Sequence, residues 1–153
     1  MSVEIDRKIS DFTAPATSGD FTLSTLNGRK LVLYFYPQDN TPGCTIEGQQ
    51  FRDLYPKFKQ AGAEIVGVSR DSLRSHVNFK TKLELPFPLI SDPEAVLCVM
   101  FGVMKLKKMY GKEVRGVERS TFLIDGDGVL RREWRGIKVP GHVDEVLGAV
   151  QAL

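Results

Sequence analysis

Leu31-Val32-Leu33-Tyr34-Phe35-Tyr36-Pro37-Gln38-Asp39-Asn40-Thr41-Pro42-Gly43-Cys44-Thr45 is the stretch from which the fold is read. Its first six residues are aliphatic or aromatic and too few for a buried helix, so they predict a buried strand. Beyond the cysteine, Phe51, Leu54, Tyr55 and Phe58 recur at i, i+3, i+4 and i+7 and give a helix one apolar stripe. Between the two lies a polar Pro/Gly loop. Thr41 suits the N-cap and Pro42 the first helical position, where a missing NH costs nothing. Cys44 then falls in the first turn, where free NH groups and the helix dipole favour an anion, and a thiol there ionises below its free pKa of roughly 8.5. Gly43 removes side-chain bulk beside the sulfur, which suits a small substrate. A free cysteine is often no more than a small buried hydrophobe, but this one follows a polar loop rather than sitting in the apolar stripe.

Working outward, Gly62 stops the helix and Glu64-Ile65-Val66-Gly67-Val68-Ser69 predicts a second buried strand, parallel to the first across a βαβ unit. Leu73 to Leu83 predicts a helix, ended by Pro86-Phe87-Pro88, and Leu89-Ile90 a short strand. Ser91-Asp92-Pro93-Glu94 has the cap, proline and acid of a helix start. The helix it opens, from Ala95 to Phe101, is apolar nearly all round and is expected to be short and deeply buried. Lys105, Lys107, Lys108 and Lys112 predict a solvated loop rather than an anion patch, since no glycine cradle or interleaved aromatics accompany them. Arg119 to Ile124 and Val129 to Trp134 predict strands joined by Asp125-Gly126-Asp127-Gly128. An EF-hand loop is excluded there because Leu130 and Arg132 fall where oxygen ligands would be needed. Pro140-Gly141-His142 opens a last helix with Val143, Val146, Leu147 and Val150 on one face. His142 and His76 are expected at the surface or at a cap. Before the first strand, Phe12, Phe21, Leu23 and Leu26 are the expected core contacts, with turns at Gly19-Asp20 and Asn27-Gly28.

The chain has 153 residues, 42% hydrophobic and 26% charged, which suits one soluble globular domain over residues 1–153. Its net charge of +2 is dispersed and predicts neither a nucleic-acid nor a membrane surface. The N-terminus lacks an apolar run of signal-peptide length and nothing approaches a membrane span, so a cytoplasmic protein is expected. Two cysteines make no disulfide framework, and there is no C-x-x-C. No metal, haem or nucleotide site is visible, so no cofactor is expected. A βαβ unit, a helix, a hairpin and a last helix imply a thioredoxin-like α/β fold, a central mixed sheet flanked by helices.

Pro37-x-x-x-Thr41-x-x-Cys44 resembles the active-site signature of the peroxiredoxins, and Thr41-Pro42-Gly43-Cys44-Thr45-x-Glu47 its form in the PrxQ or bacterioferritin-comigratory-protein branch. Further matches follow in order: Gly67-Val68-Ser69-x-Asp71, Leu89-Ile90-Ser91-Asp92, Met109-Tyr110-Gly111-Lys112 and Gly116 to Asp125. Departing from the family pattern, Asp11-Phe12 precedes Ala14-Pro15. The resemblance implies a thiol-dependent peroxidase with Cys44 as peroxidatic cysteine. It implies Thr41 as the hydroxyl bonding sulfur and peroxide, Pro37 as the shield from bulk water, and Arg119 as the arginine holding thiolate and peroxide. Taken alone, Arg119 also suits a surface ion pair with Glu118. Glu47, one turn after the cysteine, either supports that arginine or simply favours the helix start.

The product of peroxide attack, a sulfenic acid on Cys44, condenses readily with a second thiol. Many relatives carry a resolving cysteine five residues on, where this chain has Gln49, or in the next helix, near Asn78 to Lys80. Cys98 is the one other thiol and its flanks, Leu97 and Val99, indicate core. A disulfide needs Cα atoms within roughly 7 Å, so a bond between Cys44 and Cys98 would require local unfolding. The expectation is a one-cysteine cycle closed by thioredoxin, glutaredoxin or a low-molecular-weight thiol, in a monomer. The alternatives are a sensor that oxidises stoichiometrically, and a disulfide reductase, against which the missing C-x-x-C argues.

Overall fold

The computed structural model describes residues 3–153, with the side chains of 107–109 excepted. In chain order the elements are β1 (Thr13–Ala14), β2 (Phe21–Thr22), a single 3-10 turn (Leu23–Leu26), β3 (Lys30–Phe35), α1 (Pro42–Gln60), β4 (Ala63–Ser69), α2 (Leu73–Leu83), β5 (Leu89–Ser91), α3 (Val96–Met100), β6 (Met104–Met109), β7 (Lys112–Val117), β8 (Ser120–Ile124), β9 (Leu130–Arg135) and α4 (His142–Ala152). A five-stranded sheet in the order β5-β4-β3-β8-β9 forms the centre. β3 pairs in parallel with β4, as the βαβ reading requires, and β4 with β5; β8 runs antiparallel to both β3 and β9.

The central position of β3 explains its unbroken apolar sequence: both faces are covered, so alternation is not needed. Leu31, Leu33 and Phe35 point into a core shared with the N-terminal hairpin and α3. Val32, Tyr34 and Tyr36 point into the opposite core, shared with α1, α2 and α4. Cys44 belongs to the second core and Cys98 to the first, so the sheet separates the two thiols.

Gly67 on β4 sits beside Tyr34 in the parallel register. A Cβ there would lie 2.8 Å from Leu89 Cδ2 and 2.9 Å from Tyr34 Cζ, because the Tyr34 ring, stacked on Phe51 with centroids 4.6 Å apart, occupies that space. Gly67→Ala is expected to cost about 1–3 kcal/mol by overpacking. Urea unfolding checks this, and an unchanged midpoint would contradict the packing account.

Three expectations need correction. The helix α3 is short, but Val96 and Val99 are exposed at 67% and 56%; Leu97 and Cys98 are buried and Met100 is partly buried against the same core, so one side of this five-residue helix faces outward. The lysine stretch is not a loop. It lies on the β6–β7 hairpin, turned at Tyr110-Gly111 with both φ angles positive, 53° and 76°. The side chains of Lys107 and Lys108, like Met1 and Ser2, lie outside the described residues. Finally, both histidines are buried, His76 at 0% and His142 at 4% exposure. Each has polar partners from distant segments that offset the cost of burial.

Candidate active site

α1 begins at Pro42, and its first intrahelical bond runs from Thr45 N to Thr41 O. Cys44 therefore sits in the first turn, with its NH among those lacking an intrahelical acceptor. Thr41 occupies the N-cap, but its side chain makes no capping bond; the hydroxyl donates back to Gln38 O at 2.8 Å. Pro37 is exposed, yet Cys44 is only 2% exposed, its sulfur closed over by the helix and by Arg119.

Arg119 lies between the end of β7 and the start of β8, and β8 pairs with β3, so the register of the sheet brings the arginine to the end of the strand that feeds the cysteine loop. Its Nη2 donates to Cys44 Sγ at 3.3 Å and its Nη1 to Glu47 Oε1 at 2.6 Å. The planar fork thus spans one turn of α1 and grips both residues on it. Gly43 is explained by the same contact, since a Cβ at that position would lie 3.1 Å from Arg119 Nη2. The missing bulk that the sequence suggested for substrate is filled by the guanidinium. Arg119 keeps 16% of its side-chain surface exposed, whereas the Glu47 side chain is fully buried.

Charge around the sulfur is arranged by burial and by these two bonds. Burial opposes the Arg119 charge, but Glu47 and the Cys44 sulfur together outweigh it and hold the guanidinium above its usual range. Glu47 is fully buried, and its second oxygen, Oε2, has no hydrogen-bond partner among the described residues. Burial pushes its carboxyl up to about 7 against the pull of Arg119. The arrangement offers a sulfur nucleophile, a fixed cation in contact with it and a small, water-poor site.

Cys98 is placed differently. Its NH donates to Asp92 Oδ2 at 2.9 Å, and burial, reinforced by a hydrogen bond to Asp92 and by that residue's charge, pushes its thiol far above the usual range. It is a proton-bearing core thiol on the other face of the sheet, remote in character from the Cys44 environment.

Residues 5–133 match the AhpC/TSA family. The chain is 49% identical over 148 residues to the peroxiredoxin Bcp of Bacillus subtilis, a match covering 96% of this chain and 94% of that one. The chain belongs to the peroxiredoxins. Its fold is the thioredoxin-like fold of that family. A cysteine-to-serine mutant of Xylella fastidiosa PrxQ superposes on this peroxiredoxin with a TM-score of 0.94 at 43% identity, covering 99% of this chain and 98% of the other. The Xanthomonas campestris bacterioferritin comigratory protein, solved as a trapped intermediate/ligand complex to study its alkyl peroxide reduction, superposes with a TM-score of 0.88 at 50% identity over 92% and 90% of the two chains.

In this peroxiredoxin the structure brings together Cys44, Arg119, Glu47 and Gly43, sets Thr41 at the helix start above them, leaves Pro37 at the surface and keeps Cys98 apart. Sequence reasoning missed Asp39, a buried carboxylate in the loop itself, and its partner His76. Asp39 is flanked by polar, exposed residues and looked like ordinary loop; the one available signal was a tyrosine, Tyr36, at the end of a buried strand with a hydroxyl that must be served.

Among the described residues no helix is long and apolar enough to cross a membrane. The carboxylate of Asp125 accepts from Asp127 N and Val129 N and meets Arg131, so the acidic turn is committed to its own hairpin.

Proposed function

We propose that this single-domain chain is a thiol-dependent peroxidase that reduces hydrogen peroxide and organic hydroperoxides at Cys44. The observation that carries the reading is the Arg119 Nη2 contact with the sulfur, 3.3 Å, at a cysteine that is 2% exposed. The thiolate attacks one peroxide oxygen, the O–O bond breaks, and the departing oxygen leaves as hydroxide or alkoxide and takes a proton to become water or alcohol. Cys44 is left as a sulfenic acid. The guanidinium faces the place where negative charge moves from sulfur to the leaving oxygen, which is where a preorganised donor does most. Thr41 supplies a hydroxyl at the helix start, Pro37 shields the loop side, and Glu47 holds the fork of Arg119 in plane. Reduction of alkyl peroxides is the activity studied in the similar Xanthomonas campestris protein.

An outside thiol closes the cycle. Position 49 is glutamine, residues 78–80 contain no cysteine, and Cys98 lies across the sheet in a proton-holding environment. Thioredoxin, glutaredoxin or a low-molecular-weight thiol each has the required chemistry. Two unpaired buried cysteines suit the reducing cytoplasm, and the proposal includes action there as a monomer.

Peroxide consumption with a thiol reductant in excess tests the reading. Wild type and Cys98→Ser are expected to consume many equivalents at equal rates, and Cys44→Ser none. Consumption that stops after one equivalent would mark a sensor instead, and loss of turnover in Cys98→Ser would return Cys98 to the cycle.

A further inference from the structure

Asp39 is 5% exposed, and both oxygens of its carboxylate are hydrogen-bonded. Oδ1 accepts from Tyr36 OH at 2.7 Å; Oδ2 accepts from Ser75 Oγ at 2.8 Å and faces His76 Nδ1 at 2.7 Å. The other ring nitrogen of His76, Nε2, lies 2.8 Å from the carbonyl oxygen of Ile90. A carbonyl only accepts, so the ring donates there through Nε2, and the short Nδ1 contact ties the ring to the carboxylate. Asp39 N in turn donates to Asp71 Oδ2 at 2.9 Å. The loop before Cys44 is thus gripped at one residue by the end of β3, by α2, by the segment after β4 and, through the imidazole, by β5. Asp39, Asp71 and His76 lie close enough together to suggest a metal site. Both ring nitrogens, however, already face oxygens at hydrogen-bond distance, so the ring is committed to those contacts.

The next residue, Asn40, has φ of 64°, a left-handed conformation that asparagine tolerates better than most side chains and that turns the chain toward the helix start. Thr41 follows directly. None of the Asp39 contacts reaches Cys44. A buried hydrogen bond adds only modest net stability, whereas one that fixes the loop two residues before Thr41 has a geometric consequence. We infer that Asp39 and His76 are positioning residues: the buried Tyr36–Asp39–His76 network sets the loop so that the Thr41 hydroxyl meets the peroxide held at Cys44. This rests on the proposed reading of the Cys44 site.

Misplacing a catalytic group by about 1 Å costs up to roughly 100-fold, and two rates on the same thiol separate aiming from general damage. Stopped-flow oxidation of Cys44 by hydrogen peroxide needs Thr41 in place; alkylation of Cys44 by iodoacetamide needs only the sulfur. Asp39→Ala is expected to slow oxidation about tenfold or more with alkylation changed less than about threefold. Asp39→Asn, whose amide can still accept from Tyr36 and donate to a neutral His76, should recover most of the loss. Oxidation at the wild-type rate in folded Asp39→Ala, an equal fall in both rates, or Asn no better than Ala would overturn the inference. Should Asp39→Ala not fold, Tyr36→Phe and Ser75→Ala each remove one bond from the same carboxylate. Slower oxidation with unchanged alkylation is expected of them, and no change in either variant would overturn the inference. A wild-type Cys44 that ignored peroxide in the same experiment would count instead against the site reading.

Discussion

Arg119→Ala lowers the second-order rate constant for oxidation of Cys44 by hydrogen peroxide roughly 100- to 1,000-fold, the effect expected when one preorganised donor is removed from a charge that develops in the transition state. Arg119→Lys recovers little of it. The guanidinium serves Cys44 through Nη2 and Glu47 through Nη1 at the same time, 3.3 Å and 2.6 Å away. An ammonium on a flexible stem cannot hold two partners in one plane, so the exchange is not conservative at this site. Stopped-flow oxidation at fixed pH measures both variants. A lysine variant at the wild-type rate would mean that the arginine supplies bulk charge only, and the fork geometry would then carry no part of the chemistry.

The second large effect is on stability and comes from Glu47. Its carboxyl titrates near 7 in the folded chain against an ordinary value of 4.5, chiefly because it is buried, with Arg119 pulling the other way. Between those values the folded chain holds a proton that the unfolded chain has released, so stability falls as pH rises through this window. The relative stabilisation is present in full below about 4.5 and gone above about 7. Glu47→Gln cannot titrate and lacks this slope. Comparing urea midpoints of the two proteins from pH 4.5 to pH 8, wild type is expected to lose on the order of 3 kcal/mol relative to Glu47→Gln, levelling off above the folded value. Parallel stability curves would contradict this. Wild type gaining on the variant as pH rises would reverse the sign and show that Arg119, not burial, governs the carboxyl.

The strand, loop and helix around Cys44 were legible because each has a strong local signal. Leu31 to Tyr36 is apolar on both faces, Thr41-Pro42 marks a helix start, and Phe51 and Phe58 mark its buried side. The helix over Leu73–Leu83 and the last helix, with Val143, Val146, Leu147 and Val150 inward, were legible from periodicity in the same way. Long-range pairing was not. Arg119 approaches Cys44 across 75 residues, and nothing local to Arg119 announces it; only the family pattern does. The burial of His76 depends on Asp39 and Ile90, and that of His142 on Thr121, so a reading of neighbours assigned both to the surface or to a cap. Periodicity also failed at the β6–β7 hairpin, where, among the described residues, β7 pairs only with β6 and most of its residues are exposed, so no face alternates. Its turn offered one signal, a glycine at the second of two positive-φ positions, but Tyr110 stands where asparagine or aspartate is usual.

The most direct measurement is the intact mass of wild type, Cys44→Ser and Cys98→Ser after one equivalent of hydrogen peroxide with no reductant present. The account predicts that wild type and Cys98→Ser each gain one oxygen and that Cys44→Ser is unchanged. An unmodified wild type, or oxygen gained by Cys44→Ser at the same rate, would contradict it.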